Sequence, residues 1–230
     1  MKRFWKEVEV AEEVGGWTIQ LDGRPVKTPA REPLRVHTQV LGKAIADEWR
    51  DVDGDIDPRS MPLTGLANAA IDRIATDREA FAKNLAKYSE ADLICYRADW
   101  PPELAARQAE IWDPLLAWAR RRYDVDFVTT TGLTHVPQPP ATVEQLSHAV
   151  AALDPFRLAG LSPLVTIGGS LVGALGVLEK AFGPVDIWEA VTIDDRWQIE
   201  QWGADYDAAA ALENRERDFL AAARFLDLLS

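Results

Sequence analysis

Cysteine is almost absent from this sequence, since Cys95 is the single one among 230 residues. An internal disulfide is therefore excluded, and a lone cysteine is more often a small buried hydrophobic residue than a reactive thiol. The scarcity of cysteine indicates a reducing compartment, and we expect a cytoplasmic protein.

Histidine is also scarce, with three widely separated copies at His37, His135 and His148. None stands at metal-ligand spacing from the cysteine or from another histidine, so no zinc site is expected. Alternating aspartates over residues 51–57 superficially suggest calcium. The calcium pattern requires glycine and glutamate where this sequence has Ile56 and Pro62, so we expect no bound metal.

Nucleotide and nucleophile motifs are missing as well. The segment GGSLVG places Ser170 close to a nucleophile elbow, but Val172 occupies the position that requires glycine. A phosphate loop requires a Gly-Lys-Ser/Thr triplet, which does not occur. The glycines around Ser170 therefore predict close helix packing, and we expect neither a catalytic residue of this type nor a cofactor.

The sequence has no long hydrophobic run. The stretch MKRFWKEVEV interleaves charged and apolar residues, so it does not indicate a signal peptide. The most apolar segment, 161–178, contains Pro163 and four glycines, whereas a membrane span needs about 20 apolar residues with suitable flanks. We interpret this segment as a buried core helix and expect no membrane insertion.

Positive charge is in deficit, because 25 lysines and arginines face 37 aspartates and glutamates, for a net charge of -12. A nucleic-acid backbone or an anionic membrane would be repelled by this charge, so neither is expected as a partner. A hydrophobic content of 47% is enough for a substantial core.

The first third of the chain is predicted to be rich in strands. Alternating apolar residues over 17–21 lead into Asp22-Gly23, a strong hairpin signal. Further strands are predicted at 4–10 and 34–36, and neighbouring prolines place these strands at edges. Thr38 is predicted to cap a helix, and a second helix is predicted from about residue 64.

From about residue 79 the pattern becomes helical. Pro114 predicts a kink or a new start capped by Asp113. Helix starts are predicted at Thr142 with Gln145, at Asp154-Pro155 and at Ser162-Pro163, and a helix stop is predicted at Gly183-Pro184. The last helices are predicted at 186–202 and 205–229. The fold class is therefore α+β, with a small N-terminal β-rich domain over 1–78 followed by a mainly α-helical C-terminal domain over 79–230.

Two acids lie on apolar helical stripes of the sequence. Asp92 lies between Tyr88 and Cys95, and Asp195 follows Trp188 at helical spacing. A buried carboxylate needs an arginine or a backbone donor, unless it lies on a surface reserved for a partner. For Asp92 we favour internal pairing with Arg97 or another arginine. For Asp195, internal pairing and partner binding are both open.

Tryptophan is abundant, with nine copies. Trp17 and Trp49 are placed like core residues. Trp100, Trp197 and Trp202 each adjoin a break or a polar face, so they are candidates for an exposed apolar patch.

Five segments of the sequence together resemble one protein family. They are FWKEVEV, GWTIQLDGRPVKTP, MPLTGLANAAID, the run KYSEADLICYRADWPPELAARQAEIWDPLLAWARRRYDV, and a weaker echo at RWQIEQWG. In this order and spacing they resemble the assembly chaperones that bind the alpha subunit of the F-type ATP synthase catalytic sector. The main resemblance runs from about Arg3 to Leu133.

The resemblance implies a non-enzymatic, ATP-independent chaperone. Such a chaperone holds the free alpha subunit and prevents its aggregation until a beta subunit takes over the contact. The resemblance also implies a monomer in the bacterial cytoplasm, or in the mitochondrial matrix for eukaryotic relatives. In this family an acid matters on the helix leading into a Gln-Ile/Ala-x-x-Trp-Gly motif, present here from Gln198 to Gly203. The implied partner-binding residues are Glu189, Asp194, Asp195, Trp197 and Trp202.

The alternative hypothesis is a small cytoplasmic enzyme. It would use Cys95, or the carboxylates of Asp92 and Asp195, within one cleft. A cavity that brings these groups within hydrogen-bond reach would favour the enzyme, whereas an apolar surface rimmed by acids would favour the chaperone.

Overall fold

The computed structural model describes residues 2–132, 134–203 and 205–230. The chain divides into two compact units. The first contains the residues up to Arg78 together with Asp154–Gly160 and Arg224–Ser230, and the second contains Glu79–Leu153 and Leu161–Ala223. The division predicted from the sequence has its boundary at the same place, after residue 78. It assigned residues 154–160 and 224–230 to the second domain. The predicted domain boundaries stay a prediction.

The first unit contains an antiparallel sheet of β1 (Val8–Glu13), β2 (Gly16–Leu21), β3 (Arg24–Pro25) and β4 (Arg35–Val36). β1 pairs along the whole of β2, whereas β3 and β4 pair with opposite ends of β2. Gly16 allows β4 to lie close, because a Cβ atom at Gly16 would meet the carbonyl oxygen of Val36 at 2.3 Å.

The predicted hairpin is confirmed. Asp22 and Gly23 connect β2 to β3 with positive φ values of 48° and 74°, as a tight two-residue turn requires. The strand predicted at 4–10 is wrong in its first half, because β1 begins only at Val8. The N–H groups of Lys6 and Glu7 donate to the Asp22 carboxylate instead of to a strand.

Two α-helices follow the strands of the first unit along the chain. α1 (Gln39–Arg50) begins after Thr38, whose hydroxyl accepts from the N–H of Leu41 at 3.2 Å, as predicted. α2 (Pro62–Ala69) begins slightly earlier than predicted and continues as a π-helical turn over Ala70–Ile74. Glu48 accepts hydrogen bonds from the first turn of α2.

The core of the first unit lies between the sheet and α1. Its fully buried side chains include Ile19, Leu34, Leu41 and Ile45. Trp17 and Trp49, which were expected in the core, are only half-buried. Trp5 takes the buried position and donates its indole N–H to the carbonyl of Trp49 at 3.2 Å.

The second unit is mainly helical, and this arrangement confirms the predicted α+β class. Its helices, three of which include residues assigned to the first unit, are α3 (Arg78–Ala86), α4 (Pro102–Tyr123), α5 (Pro140–Ala151), α6 (Pro155–Gly168), α7 (Leu171–Leu178), α8 (Pro184–Val191), α9 (Ile193–Trp202) and α10 (Tyr206–Asp227). Two unpredicted two-residue strands, β5 (Tyr96–Arg97) and β6 (Thr130–Thr131), pair in parallel.

Several predicted helix boundaries are wrong because tertiary contacts outweigh local signals. α4 continues through Pro114, and Asp113 pairs with Arg97 instead of capping a helix. α6 likewise continues through Pro163. Thr142 lies inside the first turn of α5 and donates its hydroxyl to the carbonyl of Asp126. Asp154 does cap α6, as predicted.

Two long predicted helices are each divided into two. The predicted helix at 161–178 breaks at Gly169, which has a φ of 69°, and α7 restarts with Ser170 as its cap. The predicted helix at 186–202 breaks at Thr192, whose hydroxyl donates to the carbonyl of Trp188 at 2.7 Å. The helix stop predicted at Gly183-Pro184 is wrong, because Pro184 is the first residue of α8.

The core of the second unit is built around tryptophan and phenylalanine. Trp112, Trp188 and Phe219 are almost fully buried. The glycines predicted to allow close packing do so at Gly173 and Gly176, where an added Cβ would lie 3.2 Å from Ile187 and 2.8 Å from Phe182 respectively. In the described part of the chain, no helix combines the length and apolar character needed to cross a membrane.

Candidate partner-binding site

An open cleft of about 390 Å³ lies in the second unit, between the start of α4 and α9. All three tryptophans that the sequence marked as candidates for an exposed patch line this cleft: Trp100, Trp197 and Trp202. Trp100 is 76% exposed and Trp202 is 78% exposed, whereas Trp197 is half-buried. The sequence-based candidates therefore come together at one place.

Asp194 lies in the first turn of α9 and lines the same cleft. Its Oδ1 atom accepts a hydrogen bond of 2.7 Å from the Nε2 atom of Gln108. The Oε1 atom of Gln108 in turn accepts from the N–H of Ala98 at 2.7 Å. Burial raises the pKa of Asp194 above its ordinary value. This carboxylate is thus fixed in position at the cleft and only half hydrated.

The sequence analysis did not identify Gln108 as a site residue. In the structure its side chain is 98% buried. The available signal was a polar side chain between Leu104 and Trp112, at the i+4 spacing of the buried stripe of α4. A buried amide there must find partners, and it finds one on each side. Gln108 therefore links the segment that carries Trp100 to the start of α9.

Asp195 points to a different partner. Its Oδ2 atom lies 3.2 Å from Nη1 of Arg215, and the Arg215 guanidinium lies over the Trp188 ring at 5.8 Å. Asp195 lines a second cleft of about 420 Å³, between α9 and α10, which also includes Trp202. The structure thus shows an ion pair for Asp195, but both side chains are more than 40% exposed, so the pair contributes little stability.

The remaining site candidates are placed differently. Glu189 pairs with Arg196 at 3.4 Å and does not line the cleft that contains Asp194. The ring of Trp197 is covered by the guanidinium of Arg107 at 5.2 Å, and Arg107 also donates to both carboxylate oxygens of Glu200. Of the predicted partner-binding residues, Asp194, Trp197 and Trp202 share the first cleft.

Asp92 is fully buried, but its predicted pairing is wrong. It caps a 3-10 turn instead of lying on a helical stripe. Its two carboxylate oxygens accept from the N–H groups of Val172, at 2.9 Å, and Ile94, at 3.3 Å. Arg97 pairs with Asp113 instead. The start of α7, where backbone N–H groups are unpaired and the helix dipole is positive, replaces a cationic partner.

The geometry does not support the enzyme hypothesis. Cys95 is 99% buried, and burial together with the charge of Asp92 raises the pKa of its thiol to about 12, so it is not a thiolate at neutral pH. Asp92 is engaged by backbone donors, and Asp195 by Arg215. Over residues 2–132, 134–203 and 205–230, no group of three or more potential ligand side chains could hold a metal ion.

Comparison with known proteins gives a consistent result. A family model described as "ATP12 chaperone protein" matches residues 2–120. The crystal structure of Atp12 from Paracoccus denitrificans is 41% identical, covers 100% of this chain and 98% of its own, and superposes with a TM-score of 0.95. A point mutant of the same protein gives the same values.

Two curated relatives are more distant. "Protein atp12, mitochondrial" of Schizosaccharomyces pombe is 24% identical over 220 residues, which are 90% of this chain and 75% of the relative. "Protein ATP12, mitochondrial" of Saccharomyces cerevisiae is 22% identical over 247 residues, 88% of this chain and 76% of the relative.

The Asp92 site predicts a pH-dependent cost of substitution. Asp92→Asn should lower the free energy of unfolding by about 1–3 kcal/mol at pH 7.5, because an amide nitrogen would face a buried backbone N–H. Burial raises the pKa of Asp92 from 3.8 to about 6, so between these values the folded state retains a proton that the unfolded state has lost. Asp92 therefore contributes stability to the wild-type chain that is lost as the pH rises through this range, and the variant lacks this contribution.

The deficit of the variant should accordingly be about 2 kcal/mol larger at pH 4.5 than at pH 7.5. Urea unfolding at the two pH values measures it. Glu144→Gln, which removes one exposed charge from α5, is the matched control and should show no such difference. A deficit that stays constant, or that grows with pH, would refute the assignment.

Proposed function

The chain belongs to the ATP12 chaperone family, and from this membership we propose that it acts in the assembly of the F-type ATP synthase. We propose that it binds the free alpha subunit of the catalytic sector and prevents its aggregation until a beta subunit takes over the contact. The family is one of chaperones and not of enzymes. We propose that binding requires neither ATP hydrolysis nor a cofactor.

The observation that supports this function best is the exposure of Trp100 and Trp202 beside one cleft. Large exposed apolar side chains are unfavourable in water, and they commonly mark a surface that a partner covers. Tryptophan is also the residue type most enriched among those that dominate binding energies. An apolar surface with a carboxylate at its edge is the surface expected of a protein that holds an unassembled subunit.

The proposed binding surface extends along α8 and α9. It includes Asp194, Trp197 and Trp202 at the first cleft, with Asp195 at the neighbouring one. Glu189 adds a further acid on α8, where it pairs with Arg196. The ion pairs of Asp195 and Glu189 are partly exposed, so a client cation can compete for either carboxylate at small cost.

We further propose that the protein acts as a monomer in the bacterial cytoplasm. The names of the two yeast relatives place those proteins in mitochondria. The net charge of -12 argues against a nucleic acid as a partner, because the phosphate backbone would be repelled.

Refolding of isolated alpha subunit tests the proposed activity. An equimolar amount of the chain should suppress light scattering during dilution from denaturant, with no nucleotide present, because the client surface is covered as soon as it forms. An unrelated acidic protein of similar size is the control. Unchanged scattering, or suppression that appears only when ATP is added, would contradict the proposal.

Asp195 offers a test of the surface. Asp195→Asn should change the free energy of unfolding by less than about 1 kcal/mol, because it breaks only a half-exposed ion pair with Arg215. If the client displaces Arg215 and pairs with this carboxylate, alpha-subunit capture should weaken about tenfold or more.

The melting temperature and the capture affinity should be measured on the same preparation, with Glu144→Gln as the control for the loss of one charge. A variant that melts much earlier but binds normally would show that Asp195 is a structural residue. An unchanged melting temperature together with an unchanged capture affinity would show that Asp195 is not part of the binding surface.

A further inference from the structure

Arginine and tryptophan form a repeated pair in the second unit. Arg97 lies over the ring of Trp112 at 5.1 Å, Arg107 over Trp197 at 5.2 Å, and Arg215 over Trp188 at 5.8 Å. A guanidinium is attracted to the negative face of an indole ring, and tryptophan is the best acceptor of this kind. Three of the tryptophans here are thus covered by a cation of the chain itself.

Trp100 and Trp202 lack such a partner. Within the residues described, neither ring has an arginine or lysine over it or another aromatic ring against it, and both are more than three-quarters exposed. Both line the cleft of about 390 Å³. Two indole rings are therefore available on the walls of one cavity that is large enough for a side chain.

The charges around this cleft favour a cation. Asp99 and Asp194 line it, and Arg97, the cation among its lining residues, is bound by Asp113 at 2.8 Å. Gln108 occupies only Oδ1 of Asp194, and no hydrogen bond to Oδ2 occurs in the described part of the chain. Burial disfavours the ionised form of this carboxylate and raises its pKa. An incoming positive charge would stabilise the ionised form.

We propose that this cleft receives one arginine side chain of the client, with its guanidinium against Trp100 and Trp202 and its charge opposite Asp194. The inference rests on the proposed function for the identity of the client. Arginine fits better than lysine because its flat, weakly hydrated guanidinium stacks on aromatic rings and still donates in its plane to a carboxylate. A lysine ammonium would remain more strongly hydrated.

The site can be tested without the client. The probe is N-acetyl-arginine N-methylamide, and its neutral counterpart is the corresponding citrulline derivative, which has nearly the same shape. Indole N–H resonances, assigned with single Trp→Phe variants, report which tryptophans respond. We expect the arginine probe to shift the Trp100 and Trp202 resonances saturably, and the citrulline probe to bind about tenfold more weakly.

Two variants and one control sharpen the result. Asp194→Asn keeps an oxygen that can accept from Gln108, so the fold should persist while affinity for the arginine probe falls about tenfold. Trp202→Leu should weaken the probe by a smaller factor. Glu144→Gln should leave probe binding unchanged. Each variant should also be assayed for capture of isolated alpha subunit, in which Asp194→Asn should lose affinity in parallel.

The outcomes separate the inference from the proposed function. Equal affinity for the two probes, or shifts confined to other tryptophans, would overturn the cation site even if the wild-type chain captures alpha subunit. Normal capture by Asp194→Asn, alongside loss of the arginine probe, would overturn the client as the source of the arginine. Failure of the wild-type chain to capture alpha subunit would overturn the proposed function, while the probe titration still decides the chemistry of the cleft.

Discussion

The contact between the Asp92 carboxylate and the start of α7 is the interaction on which the second unit most depends. Leaving a carboxylate buried without a partner would cost several kcal/mol, roughly. Here the N–H groups of Ile94 and Val172 bind it, and Leu93 donates its N–H to the carbonyl of Gly169 at 3.0 Å. These bonds fix the chain just before β5 and α4, the region that presents Trp100. The position of the candidate cleft therefore depends on the hydrogen bonds of this buried acid.

The first unit uses the same device. The Glu48 carboxylate accepts from the N–H groups of Leu63 and Thr64, at 2.7 and 2.8 Å, at the start of α2. Asp72 similarly accepts from the hydroxyl of Thr28 and the N–H of Ala30. Acids thus hold loops and helix starts by binding backbone donors, which explains how a chain with fewer cations than acids can keep carboxylates inside its fold.

Short sequence signals correctly predicted the turns and helix caps that depend on interactions between neighbouring residues. The turn at Asp22-Gly23 and the caps at Thr38 and Asp154 all depend on neighbouring residues, and all three are confirmed. Ser162-Pro163 has the same signature as Asp154-Pro155, yet α6 continues through it. Most residues of that helix are buried or half-buried. Their packing outweighs the missing N–H of one proline, and no short window of sequence reveals such packing.

The candidate site was predicted in its residue types and less well in its geometry. Tryptophans next to breaks did indicate the exposed surface. The break at Thr192 could not be predicted from the apolar spacing of Trp188, Asp195 and Trp202, because the spacing continues across it. Asp194 and Asp195 line different clefts, because adjacent residues of a helix point about 100° apart. Nor does the sequence indicate that Gln108, 86 residues earlier, binds Asp194.

Chaperone activity through this surface requires that a client cover the tryptophan-lined cleft. Hydrogen exchange, measured by mass spectrometry on the chain alone and mixed with isolated alpha subunit, is the most direct measurement. We expect slower exchange over residues 97–108 and 193–203, with little change in β1 to β4. Slowing confined to the strands of the first unit, or no change anywhere in the chain at saturating alpha subunit, would contradict the proposed binding surface.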